Sequence, residues 1–129
     1  MTQQGRINSY RDLLVWQKGM ELAKQVYSLT QSFPSSERFG LLAQMRRAAV
    51  SVPSNIAEGQ ARHGRKEFVQ FLSHAQGSLA ELDTQLGIPM DLGYPCDPNV
   101  NQITARVGEL QRMLASLRRK VEERLATNH

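Results

Sequence analysis

Residues 44–59 read QMRRAAVSVPSNIAEG, and the fold turns on this stretch. With Leu42 just ahead of it, Met45, Ala49, Val52 and Ile56 follow at alternating steps of 3 and 4 residues. That is the period of a helix that turns one apolar seam toward neighbouring helices. Gln44, Arg47, Ser51, Asn55, Glu58 and Arg62 run down the opposite side at nearly the same period. Ser and Asn compete with the backbone for hydrogen bonds and weaken a helix interior. Pro53 removes one backbone donor and crowds the carbonyl four residues earlier. The apolar seam keeps its phase across the proline, so the expectation is one helix, kinked at Pro53 and kept for its side chains.

The same periodicity recurs on both sides of this segment. A first helix is expected over residues 11–32, with Leu13, Trp16, Met20, Ala23, Tyr27 and Thr30 as its seam and Leu22, Val26, Leu29 and Phe33 widening it. Leu13, Leu14, Val15 and Trp16 are consecutive, so at about 100° per residue they point all round the helix. Either a neighbouring loop buries that end, or these four residues form a contact between subunits. Ser35 or Ser36 is placed to cap a second helix over 36–62, with Gly40 a weak spot near its start. His63 and Gly64 then turn the chain.

A third helix is expected over 65–92, its seam formed by Phe68, Leu72, Ala75, Leu79, Leu82 and Leu86, continuing with a kink past Gly87 and Pro89. GYPCDPN, residues 93–99, reads as a loop whose second proline opens the last helix, 98–126. There Ile103, Val107, Leu110, Leu114, Leu117 and Val121 make the cleanest seam in the chain. No stretch alternates with period two for long enough to build a sheet. The fold class is therefore all-α: one domain over 1–129, an up-down-up-down antiparallel four-helix bundle.

A chain of 129 residues is long enough to bury a core without disulfide or metal staples. Cys96 is the one cysteine, which forbids an intrachain disulfide and fits a reducing cytoplasm. No apolar run approaches membrane-spanning length, and the first residues lack a signal core, so no membrane association is expected. The net charge of +4 is unevenly spread: residues 67–97 hold five acidic groups and no basic one, whereas 35–66 and 98–129 hold six basic groups each. Such a balance is a modest pointer to an anionic partner, since part of it can pair internally.

Several chemistries find no residues to carry them. A di-iron bundle needs Glu followed three residues later by His, and no such pair occurs. His63, His74 and His129 are scattered, and one cysteine cannot complete a zinc site. Phosphate-cradling glycine motifs are missing. Ser54, Asn55 and Glu58 form the tightest polar cluster, but Asn55 and Glu58 lie one helical turn apart, where a hydrogen bond is the plainer reading. The expectation is no enzyme, no metal, no cofactor and no small-molecule substrate.

Three readings then compete for the polar stripe. It is a solvated face; or a buried network in which Gln44, Asn55 and Glu58 meet Gln76, Ser78 and Glu81 of the third helix, with Arg46 or Arg47 pairing to Glu81; or a surface offered to a partner. On the last reading Arg46, Arg47, Arg62, Arg65 and Lys66, joined by Arg112 and Arg119 on the far helix, are the candidate phosphate contacts. Aromatics interleaved with basic residues are missing around this stripe, so binding is expected to engage the backbone with little sequence readout. The alternative is a protein–protein scaffold with no nucleic-acid role.

Three segments carry a family resemblance: LLVWQKGMELAKQVYSLTQSFP, then ERFGLLAQMRRAAVSVPSNIAEG, then KEFVQFLSHAQGSLAELDTQL. Over nearly all of Leu13 to Leu125 the chain resembles the 23S ribosomal RNA intervening-sequence proteins, also called four helix bundle proteins. The resemblance implies a four-helix bundle that closes into a homo-oligomer, a pentameric ring. The family is also similar in fold to the accessory protein of diversity-generating retroelements, a basic ring that binds nucleic acid and a reverse transcriptase. The motif positions here are Gln44, Arg46, Arg47, Asn55, Glu58, Gly59, Phe68, Ser78 and Glu81; the resemblance assigns none of them a catalytic role. Gly87 and Pro89 depart from the family pattern, in which the third helix runs on.

Overall fold

The computed structural model describes residues 9–93 and 100–127. Four α-helices account for most of them: α1 Leu14–Thr30, α2 Leu41–Ala61, α3 Arg65–Asp91 and α4 Val100–Thr127, with no strand among the described residues. Each helix packs against the next, and α4 closes the bundle against α1. From Lys18 to Glu21 along α1, the ion-pair partners on α4 step back from Glu109 to Arg106, so these two helices run in opposite directions. The four seams meet in one core, where Val26, Met45, Ile56, Leu72, Leu79 and Leu114 are fully buried. The expected loop at 93–99 and the helix start at Pro98 lie largely outside the described residues, as does Cys96.

Two helix starts differ from the sequence expectation. Tyr10–Asp12 forms a separate 3-10 turn, because Ser9 and Asp12 cap one another: Ser9 Oγ accepts from the Arg11 N–H and the Asp12 carboxylate accepts from the Ser9 N–H at 3.3 Å. Leu13 is extended, so α1 begins at Leu14. Ser35 and Ser36 do not cap the second long helix; they belong to another 3-10 turn, Ser35–Glu37. Gly40 is the non-helical residue before α2, and Glu37 Oε1 accepts from the Leu41 N–H at 2.9 Å. A carboxylate at a helix N-terminus satisfies an orphan donor and opposes the helix dipole, which explains the later start.

The proline-bearing helices are continuous. Pro53 lies buried inside α2, and its ring rests against buried Gly19 of α1, where a Cβ would meet it at 3.5 Å. Pro89 lies inside α3, which runs through Gly87 to Asp91 as expected. Between α2 and α3 it is His63, not Gly64, that takes the left-handed conformation, with φ of 61°. That region favours glycine.

In α1 the core falls on the residues expected to widen the seam, and of the seam itself only Ala23 and Thr30 are buried. Val15, Gly19, Leu22, Val26 and Leu29 face the core, while Trp16 and Met20 are half-buried and Tyr27 is exposed. The helix has two adjoining apolar arcs. Compact aliphatic side chains fill the centre, and aromatic residues with a polar tip settle at the edge. The run Leu13–Trp16 is divided accordingly: Val15 joins the core and is unavailable to another subunit, whereas Leu14 is 55% exposed.

Candidate nucleic-acid interface

The polar stripe of α2 splits into three fates. Its middle faces α3, where Ser51 Oγ and Ser78 Oγ are 2.6 Å apart and Asn55 Nδ2 donates both to Ser51 Oγ at 2.9 Å and to the Ser51 carbonyl at 2.8 Å. One turn further on, Gly59 is buried so close to α3 that a Cβ would sit 2.7 Å from Phe71 Cβ and 3.1 Å from Phe68 Cδ1. Small polar residues and a glycine thus let two backbones approach, which accounts for residues that weaken the helix locally. The network expected from sequence is smaller than anticipated. Asn55 and Ser78 belong to it, with Ser51, while Gln44, Glu58 and Glu81 are exposed outside it. Gln76 turns to α4 instead, accepting from Arg118 Nη1 at 3.0 Å through its side chain and from Gln111 Nε2 through its carbonyl.

The basic candidates divide as well. Arg46 pairs with no carboxylate among the described residues: Nε donates to Thr30 Oγ1 at 2.8 Å, Nη2 donates to the Tyr27 carbonyl at 3.2 Å, and the guanidinium lies 4.5 Å from the Tyr27 ring centroid. It closes the C-terminal end of α1, where unsatisfied carbonyls and the dipole favour a cation. Arg62 is held by Glu58 at 2.8 Å and lies near Glu67 at 4.0 Å. The hydrogen bond that Arg62 donates to Glu58, then the Glu58 charge, raise the Arg62 pKa above its ordinary value. Arg47, Arg65, Lys66, Arg112 and Arg119 remain exposed. Arg65 and Lys66 open α3, the dipole's positive end, where a cation works against the helix. Of the acidic residues on α3, Glu67 lies near Arg62, while Glu81, Asp83 and Asp91 take part in none of the five ion pairs within the described residues, so these five cations are not paired to α3.

Two apolar grooves flank α1. Against α4, Leu13, Leu14, Met113 and Leu117 line a groove of about 450 Å³ edged by Glu109, Arg112 and Lys120. Against α2, Tyr10, Trp16, Met20, Tyr27, Val50 and Pro53 line one of about 470 Å³, where Lys24 is the one charged lining residue among the described residues. Tyr10 and Trp16 meet edge to face at 5.3 Å, and the Arg11 guanidinium lies 5.5 Å from both ring centroids. Aromatics and cations are therefore interleaved along α1 and the 3-10 turn before it, and at the α2 stripe the Arg62 guanidinium also lies 5.4 Å from the Phe71 ring centroid. The signal was present as Tyr10, Arg11, Trp16, Lys24 and Tyr27, but reading Trp16 and Tyr27 as core concealed it.

Fold and surface define a four-helix bundle whose second and third helices are closed by a small-residue polar seam and whose outside carries unpaired cations. The chain belongs to the 23S rRNA-intervening sequence protein family, whose pattern matches residues 11–116. A crystallised protein of unknown function from the S23 ribosomal protein family of Bacteroides thetaiotaomicron is similar in fold, with a TM-score of 0.74 and 21% identity over 82% of this chain and 96% of that one. No curated protein matches the chain. Among the described residues no His, Cys, Asp or Glu cluster of three could hold a metal, and no helix is long and apolar enough to cross a membrane.

Proposed function

We propose that this chain is a non-enzymatic, cytoplasmic bundle that assembles with copies of itself into a closed ring and binds RNA or DNA through backbone phosphates. The supporting observation is the exposed pair Arg65 and Lys66 at the start of α3, cations placed where they do nothing for the helix. Arg119, exposed on α4 and outside the α1–α4 groove, extends the cationic exterior. Family membership is consistent with a ribosomal RNA connection. The contact between copies is placed at the α1–α4 groove, where exposed Leu14 adjoins Met113 and charges of both signs.

The test is fluorescence anisotropy with a hairpin duplex titrated across salt. Affinity falls steeply with salt, and the Arg65→Ala/Lys66→Ala variant shows a log–log salt slope shallower by about two, uniformly across sequences. Binding that is absent at low salt, or indifferent to salt, overturns the reading. Arg46→Ala is not the variant to use, because its guanidinium is spent on α1. Light scattering that returns a monomer mass at micromolar concentration removes the assembly.

A further inference from the structure

Resting on the nucleic-acid reading above, we infer that the groove between α1 and α2 receives the bases of a single-stranded nucleic acid, which makes the protein a single-strand binder as well as a phosphate binder. Every base has a flat apolar face that stacks on aromatic side chains, while its phosphates seek cations. The groove offers both. Trp16 is packed on the edge of Tyr10, and Tyr27, 43% exposed, is braced by Arg46. Trp16 and Tyr27 are eleven residues apart on α1, about 16 Å at the helical rise, a span of a few nucleotides.

Charge selects this occupant over a protein. Among the described residues, Lys24 lines the groove, exposed and without an ion pair, Arg11 stands at the Trp16 end, and no carboxylate lines the groove. The α1–α4 groove, of almost the same size, mixes Glu109 with Arg112 and Lys120, as a surface meeting another protein chain does. A duplex cannot use the α1–α2 groove, since its bases are stacked on one another and its faces are closed.

Trp16 is the chain's one tryptophan, so its emission reports on the groove without any substitution. Oligothymidylate and oligouridylate are titrated against the full chain, with a hairpin duplex as the comparison. The expected result is quenching of Trp16 emission by both single strands and about a tenfold or greater loss of single-strand affinity in Tyr27→Ala, with duplex affinity unchanged. Single strands that bind with unaltered Trp16 emission and equal affinity for Tyr27→Ala overturn the inference and leave phosphate binding standing. If neither strand nor duplex binds, the inference and the reading beneath it both fall. If Tyr27→Ala instead lowers the mass of the assembly, a second copy covers the groove and the inference is wrong.

Discussion

The α2–α3 contact and the α1–α4 contact hold one bundle together by different means. At α2–α3 the backbones are drawn in by Gly59 against Phe71, and the paired hydroxyls of Ser51 and Ser78 fix the register. At α1–α4 the exposed edge is spanned by long side chains, Lys18 to Glu109 at 3.0 Å and Arg106 to Glu21 at 3.6 Å. A close approach tolerates almost no change of volume, because packed interiors have no slack. Flexible ion pairs at a wet edge re-form after small shifts and add little. The difference teaches that the unusual residues of α2 are answers to proximity, whereas α4 meets α1 through ion pairs at its edge and leaves Arg112, Arg119 and Lys120 outside the ion pairs found among the described residues.

The largest effect is expected from Gly59→Leu, which drives a side chain into Phe68 and Phe71. Overpacking of this kind costs about 3 kcal/mol, read as a lowered midpoint in urea. A midpoint within error of the parent would mean that α2 and α3 separate freely, and the contrast with α1–α4 would be lost. Ser78→Ala comes next. It removes one hydroxyl partner of Ser51 while Asn55 remains, so the loss is about 1 kcal/mol by the same measurement. A loss comparable to that of Gly59→Leu would move the weight of the contact from shape to hydrogen bonding.

The smallest effect belongs to the ion pair. The hydrogen bond from Lys18, then its charge, hold the Glu109 carboxyl below the usual carboxylate range, with weaker help from Arg112 and Arg106. A depressed carboxylate pKa stabilises the fold above the unfolded-state value, and that contribution is lost as pH falls through the folded-state value. Lys18→Met should therefore lower the Tm slightly at neutral pH and low salt. The difference should vanish both in high salt and once acid protonates Glu109. A deficit that survives both conditions would show that Lys18 acts through packing along its stem, and that the two helix contacts are more alike than their chemistry implies.

The helical periods of α2, α3 and α4 were legible because each has one apolar arc, so its phase is unambiguous. Of the expected α3 seam, Leu72, Ala75, Leu79, Leu82 and Leu86 are buried and Phe68 is half-buried, while Gln85 and Pro89 join the buried face. In α1 two apolar arcs adjoin, and periodicity cannot choose between them. The choice is made by what α2 and α4 bring to either side, including the Pro53 ring against Gly19. The small polar residues of the α2 stripe were visible as an anomaly, but whether they faced water, α3 or a ligand was not.

The number of helices and their continuity through Pro53 and Pro89 follow from the sequence, because the spacing of apolar residues is a local property that each turn expresses by itself. The partner of each polar side chain was decided in three dimensions. Arg46 serves α1, Gln76 serves α4 and Ser51 meets Ser78, since hydrogen bonds are settled by distances across helices. The same is true of the two grooves beside α1. A groove lies between two helices, and no single stretch of chain contains both of its walls.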